Sequence, residues 1–414
     1  MAQVWSKRWI RRALPGVVAA CLAVAGLSLQ APAVEAATPS SDAFYKPPSP
    51  LPAGRPGDII RSRRSTFTLD PLLKAPVPFV NAWQVLFRSE NASGAPIAVS
   101  GTVLVPMLPW FGPGRRPIVS YTVGTRGIGD ACAPSYTLSQ GTDYEGLFIA
   151  SALNKGWAVA ISDMEGLGTP GQHTYEVGRS QGKAALDVVR AAERLSGSGL
   201  SSANPVGVMG YSQGGTSAGW AAQLQPSYAP ELLLKGVVAG GVPADLDAVA
   251  RFLDGQLAFS FALLAAVGYD TAYPDLKLGS YLNADGQKLL TEMKDLCLVS
   301  VDGIKGLVGT AFHHFSDYTT VNPLGTLSWQ ARLRENRLGS VRPTVPVFQP
   351  HALFDEIVPL AQADQLHKDW CALGANVTWK TYLGEHALGL VESQPDALSF
   401  LVDRFAGRTT RGNC

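Results

Sequence analysis

Ser212 lies in the pattern Gly-x-Ser-x-Gly, which residues 210–214 match as Gly-Tyr-Ser-Gln-Gly. This pattern is typical of a tight turn that exposes a nucleophilic serine between a strand and a helix, with glycines where side chains would collide with neighbouring backbone. Residues 178–182 match it too, around Ser180. An apolar stretch precedes Ser212 and small residues follow it, whereas Ser180 follows a polar stretch. We therefore predict Ser212 as the nucleophile and Ser180 as a helix-start serine.

A serine hydroxyl becomes an effective nucleophile when a base accepts its proton, and that base is commonly a histidine oriented by a carboxylate. The histidines downstream of Ser212 are His313, His314, His351, His367 and His386. We predict His386 as the base, because it follows the last predicted strand, where a loop can present it to the serine. His313 and His314 are adjacent and cannot both face one point on a helix. His367 lies on an amphipathic helix, and His351 ends a strand.

The orienting carboxylate is expected in the loop that follows the preceding strand. Residues 345–349 are typical of that strand, and Asp355 comes soon after it. We predict that Asp355 holds the imidazole tautomer and stabilises its charge. Glu356 is the rival acid, and either residue could instead be a solvated loop carboxylate.

Hydrolysis through a tetrahedral intermediate also requires donors for an oxyanion, normally the N–H after the nucleophile and one from an early strand-to-helix loop. Gln213 supplies the first donor. Residues 124–127, Gly-Thr-Arg-Gly, follow a predicted strand, so Thr125 or Arg126 is predicted to supply the second donor. An ordinary glycine turn would have the same sequence pattern. The loop at residues 163–166 could border the same pocket or form only a turn.

The elements that position these residues alternate between strand and helix. Predicted strands lie at residues 83–88, 97–106, 117–123, 157–162, 206–209, 236–239, 345–349 and 376–382. Predicted helices lie at residues 144–154, 183–195, 213–224 and 395–405. This alternation indicates an α/β protein with a mostly parallel central sheet and helices on both faces.

One interval breaks the alternation. Residues 245–337 are mainly helical in pattern and apolar, with Gly, Pro and Asp turns, and we predict that they form an inserted helical cap. The core then consists of residues 37–244 and 338–414. Within the cap, the apolar residues 252–267 suggest an acyl-chain pocket, or serve only to hold the cap together.

The N-terminal residues resemble an export signal. Four basic residues precede an apolar run from residue 13 to 29, and small-residue cleavage sites follow, so we predict a signal peptide at residues 1–36 and a secreted protein. The pair Arg11-Arg12 leaves twin-arginine export open. Losing the leader would change the formal charge from +1 to −2, because four basic residues and Glu35 are removed.

The amino-acid composition of the chain argues against several classes of protein. At 46% hydrophobic and 16% charged residues, the chain can bury a large core. A nearly neutral chain without a basic stripe is not expected to bind nucleic acid. Its most apolar stretch after the leader, residues 257–269, is shorter than the roughly 20 residues of a membrane-spanning helix. We find no metal-ligand spacing or phosphate-binding glycine loop and expect no cofactor.

Four cysteines follow the predicted leader: Cys132, Cys297, Cys371 and Cys414. An even number in an oxidising compartment predicts two disulfides. The spacing alone leaves three pairings open.

Taken together, these motifs resemble the secretory lipase family of Candida antarctica lipase A-like α/β-hydrolases over residues 44–414. The matching stretches are Ser-Tyr at 120–121, Cys-Ala-Pro-Ser-Tyr at 132–136, Ser-Asp-x-Glu-Gly at 162–166, Gly-Tyr-Ser at 210–212, Ser-Tyr-Ala-Pro-Glu-Leu at 227–232, Asp-Glu-Ile-Val-Pro at 355–359 and Glu-His at 385–386. Each stretch is short, but the combination in this order is specific.

The resemblance implies an α/β-hydrolase core with a late helical cap, the triad Ser212, Asp355 and His386, and an acyl ester substrate. It also implies disulfides joining Cys132 to Cys297 and Cys371 to Cys414. One departure is Arg126, which stands where the family's lipase has an acidic residue in the first oxyanion loop.

The sequence therefore predicts a secreted carboxylic ester hydrolase, a triacylglycerol lipase or esterase that works through an acyl-enzyme. An acyltransferase or peptidase with the same triad is the nearest alternative. A secreted binding protein with idle catalytic residues is the alternative from a different class.

Overall fold

The structure is a computed structural model that describes residues 37–414. The predicted signal peptide, residues 1–36, lies outside the described residues. No helix among the described residues has the length and apolar character that crossing a membrane requires.

A nine-stranded sheet forms the centre of the protein. Its strands are β1 (Ile59–Ser65), β2 (Val80–Glu90), β3 (Pro96–Pro106), β4 (Ile118–Thr122), β5 (Ala158–Ser162), β6 (Val206–Tyr211), β7 (Leu234–Gly240), β8 (Val347–Ala352) and β9 (Val377–Tyr382). They are arranged in the order β1-β2-β3-β5-β4-β6-β7-β8-β9. The pairs from β1 to β5 are antiparallel, and every pair from β5 through β4 to β9 is parallel. This is the mostly parallel sheet of an α/β-hydrolase fold, as predicted.

The helices lie between and around these strands. They are α1 (Pro134–Gln140), α2 (Gly146–Asn154), α3 (Gly178–Arg194), α4 (Gln213–Tyr228), α5 (Leu246–Leu253), α6 (Phe259–Ala272), α7 (Ala284–Met293), α8 (Val301–Gly309), α9 (Phe315–Tyr318), α10 (Leu327–Glu335), α11 (Leu360–Ala372) and α12 (His386–Phe405).

The central strands are buried on both faces, which explains their nearly continuous apolar sequences. Neighbouring residues on one strand point to opposite faces. Val208 of β6 therefore packs with α3 and α4 on one face, while Met209 packs with the apolar side of α12 on the other. This double burial fixes the position of every strand end, and the predicted site residues lie at or shortly after those ends.

The helices α5 to α10 fall between β7 and β8, in the interval where the sequence predicts a cap. They share an apolar cluster that includes Phe259, Leu264, Val267, Phe315 and Trp329. Several residues of the apolar segment 252–267 thus hold these helices together. The division of the chain into core and cap segments stays a prediction.

The structure departs from the sequence prediction at the edge strand β1 and at the start of the last helix. The strand β1 was missed because its sequence, Ile-Ile-Arg-Ser-Arg-Arg-Ser, is polar, as suits an edge strand with much of its surface exposed. The last helix was predicted to begin at Pro395, but α12 begins at His386 and contains Pro395. Glu385 caps it by accepting hydrogen bonds from the N–H groups of Ala387 and Leu388, so the helix start is set by this carboxylate and not by the proline.

Two disulfides are present, Cys132–Cys297 and Cys371–Cys414. These are the pairs that the resemblance implied. The first joins the segment before α1 to the segment between α7 and α8, 165 residues apart. The second ties α11 to the C-terminal residue across 43 residues.

We expect the Cys132–Cys297 disulfide to stabilise the protein more than the Cys371–Cys414 disulfide. Cross-linking restricts the unfolded chain more when the closed loop is longer, and loops of these lengths correspond to about 5 and about 4 kcal/mol. Paired Cys→Ala variants, compared by the free energy of unfolding in guanidinium titrations, measure this difference. An equal or greater loss on removing the shorter loop would contradict the expectation.

Candidate active site

Ser212 occupies a strained turn at the end of β6. Its backbone has φ +60° and ψ −125°, a conformation that non-glycine residues rarely adopt. The turn joins β6 directly to α4, which begins at Gln213. The N–H of Ser212 donates to the carbonyl of Gly240 on the neighbouring strand at 3.0 Å, which fixes the turn to the sheet. The serine is thereby held at the carboxyl edge of the parallel strands.

The flanking glycines are required by a close approach of backbone. A Cβ at Gly214 would lie 2.0 Å from the carbonyl oxygen of Thr122, and one at Gly210 would lie 2.1 Å from the Thr122 hydroxyl. Neither contact is sterically allowed. The Gly-x-Ser-x-Gly pattern thus marks the point where the turn crosses the end of β4.

His386 and Asp355 are in direct contact. The Nδ1 of His386 lies 2.7 Å from the Oδ2 of Asp355, and both side chains are buried. The other oxygen of Asp355 accepts hydrogen bonds from the N–H groups of Ile357 and Val358 at 3.0 and 2.6 Å. Because the carboxylate is held by its own loop, it presents one oxygen to the imidazole in a fixed direction.

Glu356, the rival acid, contacts His386 in another way. Its carboxylate accepts a hydrogen bond from the backbone N–H of His386 at 3.0 Å. Asp355 therefore orients the imidazole ring, while Glu356 binds the main chain at the start of α12.

The imidazole lies next to the serine turn. The rings of His386 and Tyr211 have centroids 5.2 Å apart, and Tyr211 directly precedes Ser212. A Cβ at Gly389, one turn along α12, would lie 2.3 Å from the Tyr211 hydroxyl, so the helix that carries His386 packs closely on this tyrosine. Ser212 is half-buried, and its hydroxyl makes no hydrogen bond to another described residue.

The charges of His386 and Asp355 stabilise each other. Burial opposes the charged form of His386, but the adjacent Asp355 carboxylate outweighs it and raises the pKa of the imidazole above its usual value. Burial also acts on Asp355, yet the positive charge of His386 and their hydrogen bond hold the pKa of this carboxyl below its usual value. Burial raises the pKa of Glu356.

Three main-chain N–H groups face no internal acceptor. Among residues 37–414, no oxygen accepts a hydrogen bond from the N–H of Thr125, Arg126 or Gln213. Gln213 is the first residue of α4, where the helix dipole also favours negative charge. These N–H groups are available to an external acceptor.

The side chain of Arg126 is committed elsewhere. It is buried, forms ion pairs with Asp143 at 2.8 Å and Glu145 at 3.1 Å, and lies over the ring of Tyr144. The two carboxylates come from the segment between α1 and α2. Arg126 can therefore act on a substrate only through its backbone, and its guanidinium group holds the loop in place.

The remaining sequence candidates lie apart from this arrangement. Ser180 is buried in the first turn of α3, where it donates to the carboxylate of Glu165. His313 and His314 are exposed in the loop between α8 and α9, next to Asp317 and Asp254 respectively. Asp163, from the loop that was considered as a pocket border, is buried and bonded to Ser100 and Ser135.

Two further buried residues lie near the site: His351, which the sequence offered as a candidate base but at a strand end, and Glu176, which sequence reasoning missed. His351 is buried with its Nε2 3.6 Å from Asp355 Oδ2 and 3.0 Å from the carbonyl of Val358, to which it donates. Glu176 is buried with a left-handed φ of +59° and accepts a hydrogen bond from Thr216 of α4 at 2.7 Å. Burial raises the pKa of Glu176 to about 7. The order of the motifs favoured His386 over His351 as the base. Glu176 is a single acidic residue in a loop and belongs to no sequence motif.

One group of side chains in the described part of the chain has ligand atoms spaced closely enough for a metal ion: His367, Cys371 and Cys414. Cys371 and Cys414 form a disulfide, so neither sulfur can act as a thiolate ligand. This group is not a metal site.

The chain belongs to the secretory lipase family, because the sequence model described as "Secretory lipase" matches residues 133–413. The fold and the family define an ester hydrolase of the α/β-hydrolase class. The crystal structure of Candida antarctica lipase A in its closed state is similar, with a TM-score of 0.81 and 29% identity, covering 91% of this chain and 89% of that one.

Several relatives are more than 30% identical in sequence. A secreted triacylglycerol lipase of Malassezia globosa is 31% identical over 393 residues, covering 90% of this chain and 81% of that protein. A protein named as a probable inactive lipase of Mycobacterium tuberculosis is 34% identical over 385 residues, covering 89% of this chain and 83% of that protein.

We expect Asp355→Asn to lower the pKa of the His386 imidazole. The substitution removes the nearest negative charge, after which burial favours the neutral ring. Histidine-selective NMR spectra across a pH titration measure the change. Glu356→Gln is the matched control, since it removes a carboxylate that contacts only the backbone of His386 and should lower the pKa less. A greater effect of Glu356→Gln would contradict this assignment.

Proposed function

We propose that this protein is a secreted carboxylic ester hydrolase that cleaves lipid esters through Ser212, His386 and Asp355. The observation that carries the proposal is the buried 2.7 Å contact between Asp355 and His386, next to the strained turn of Ser212. Serine hydrolysis needs this arrangement, because the hydroxyl is unreactive until an oriented imidazole takes its proton.

In this mechanism the Nε2 of His386 accepts the proton of Ser212 as the hydroxyl oxygen attacks the ester carbonyl. The imidazolium that forms is stabilised by Asp355, and it then protonates the departing alcohol. Water, activated by the same imidazole, cleaves the acyl-enzyme and releases the acid and the free serine.

The N–H groups of Gln213 and of Thr125 or Arg126 are proposed to bind the oxyanion. Their lack of internal acceptors supports this role, since donors already fixed in place stabilise negative charge without reorganisation. The loop that carries Thr125 and Arg126 is rigid, because Arg126 is ion-paired on one side and its carbonyl accepts from Leu298 on the other at 2.8 Å.

The choice of a lipid ester rests on the apolar helices α5 and α6. Gly268 of α6 packs directly on the backbone of Tyr175, whose hydroxyl contacts Thr125, so a single residue connects this helix to the proposed oxyanion loop. Partly buried apolar residues such as Phe261 and Leu263 lie on the same helix. Secretion is supported by the two disulfides and by the secreted relative from Malassezia globosa.

The relative from Mycobacterium tuberculosis, whose name calls it a probable inactive lipase, supports a second candidate function. In that case the chain would bind a lipid or a partner without hydrolysis. An acyltransferase or a peptidase would use the same triad, and would be recognised by competition from an added alcohol or peptide.

A fluorophosphonate probe separates an enzyme from a binding protein. We expect labelling of the wild-type protein, loss of labelling in Ser212→Ala, and a fall in ester hydrolysis of about 10⁶-fold, the scale found when a triad serine is removed. Ser180→Ala is the matched control, because Ser180 lies in the second Gly-x-Ser-x-Gly sequence, and the probe should still label this variant. No labelling of the wild-type protein, or equal labelling of Ser212→Ala, would rule out the proposed mechanism.

Activity on p-nitrophenyl esters of increasing chain length tests the lipid substrate. Each methylene that enters an apolar pocket contributes about 0.8 kcal/mol, so kcat/KM should rise about 4-fold per methylene until the pocket is filled. A maximum at acetate would instead indicate a short-chain esterase.

A further inference from the structure

The segment from His173 to Glu176 lies between β5 and α3 and is not part of the triad. All four of its side chains are buried. His173 is hydrogen-bonded to Gln213, Tyr175 to Thr125 of the oxyanion loop, and Glu176 to Thr216 of α4. We propose that this segment is a positioning element that holds both oxyanion donors at the separation that the tetrahedral intermediate requires. The inference rests on the proposed function.

His173 contacts the first donor residue. Burial lowers the pKa of His173 to about 4, so its ring is neutral. Its Nδ1 lies 2.7 Å from the carbonyl of Glu165 and therefore carries the proton, which leaves Nε2 to accept a hydrogen bond from the side-chain amide of Gln213 at 3.0 Å. Gln213 is thus anchored by its side chain while its backbone N–H stays free.

Tyr175 contacts the second donor loop. The hydroxyls of Tyr175 and Thr125 are hydrogen-bonded at 2.7 Å, and both residues are buried. The carbonyl of Thr125 also accepts from the hydroxyl of Tyr144 at 2.8 Å. Thr125 is therefore held from two directions, and neither contact uses its N–H.

Glu176 anchors the segment itself. It accepts a hydrogen bond from Thr216, one turn along α4 from Ser212, and its left-handed φ of +59° turns the chain so that Tyr175 and Glu176 point to different partners. From the other side, a Cβ at Gly268 of α6 would lie 2.3 Å from the Tyr175 carbonyl oxygen. The segment is fixed between α4 and α6.

The two donors come from separate strand ends, after β4 and after β6. A span of four residues that touches both is a direct way to set their relative position, and a misplacement of 1 Å in such a site can cost about 10²-fold in rate. The side chains of His173 and Tyr175 reach no reacting atom in this arrangement, so they are positioning residues and not catalytic ones.

The test is a double-mutant cycle on the hydroxyl pair of Tyr175 and Thr125. Tyr175→Phe and Thr125→Val should each lower kcat by about 10-fold with KM nearly unchanged, because the oxyanion forms only in the transition state. The double variant should be no slower than either single variant, since one shared hydrogen bond is lost in all three. The inhibition constant of a trifluoromethyl ketone, which adds the serine to form an oxyanion, should rise by the same factor as kcat/KM falls.

Tyr45→Phe is the matched control. Tyr45 is equally buried and also bonds a side-chain hydroxyl, that of Ser135 at 2.9 Å, but it contacts neither donor loop. It should lose comparable stability without changing kcat or ketone affinity. Gln213→Met is a second test variant, because it removes the side-chain contact with His173 and keeps the backbone N–H of residue 213. It should also lower both kcat and the affinity for the ketone.

The outcomes separate this inference from the proposed function. If the wild-type protein hydrolyses esters in a Ser212-dependent way, but Tyr175→Phe and Gln213→Met behave like Tyr45→Phe, only the positioning role is overturned. Additive losses in the Tyr175–Thr125 cycle would overturn it as well. If the wild-type protein neither hydrolyses esters nor reacts with fluorophosphonate, both proposals fail.

Discussion

The close crossing of the Ser212 turn over the end of β4 is the constraint on which the site depends. The backbones at Gly210 and Gly214 approach Thr122 so closely that a side chain cannot fit at either position. Ser212 is thereby forced into a left-handed conformation, which costs on the order of 1–3 kcal/mol. Burial of the sheet on both faces around β6 offsets this cost. The serine is left half-buried at the carboxyl edge of the sheet, directly before the N-terminus of α4.

Around that turn, buried carboxylates are placed so that positive charge on one imidazole is favoured. Asp355 contacts the ring of His386, and Glu356 contacts its backbone. Glu176 is also near enough for the charge of His386 to affect its ionisation, although its carboxylate is bonded to Thr216. Because Asp355, His386 and Glu176 are buried, their charges are screened less than they would be at the surface. An imidazole in such surroundings is suited to take up a proton and hold it.

The loop at residues 124–127, which we propose as the oxyanion loop, connects the sheet to the helices between β7 and β8. Arg126 is ion-paired to the segment between α1 and α2, and its carbonyl accepts from Leu298. Cys297 pairs with Gly127 in a β-bridge and with Cys132 through a disulfide. The loop therefore has covalent and hydrogen-bonded contacts on both sides, which explains how backbone donors in a glycine-containing loop remain in one position.

The sequence alone located the tight turn at Ser212, because the steric requirement for glycine on each side of such a turn is local and produces a recognisable pattern. The order of strands and helices, and hence the parallel sheet, was equally visible in apolar runs and helical spacing. Asp355 and Glu356 could not be separated firmly in this way, since adjacent residues share the same loop and only the folded backbone decides which carboxylate reaches the ring. The start of α12 at His386, the contact of His351 with Asp355 and the committed side chain of Arg126 were likewise decided by tertiary packing. Each depends on partners far away in the chain, and a one-dimensional pattern does not record distances between distant residues.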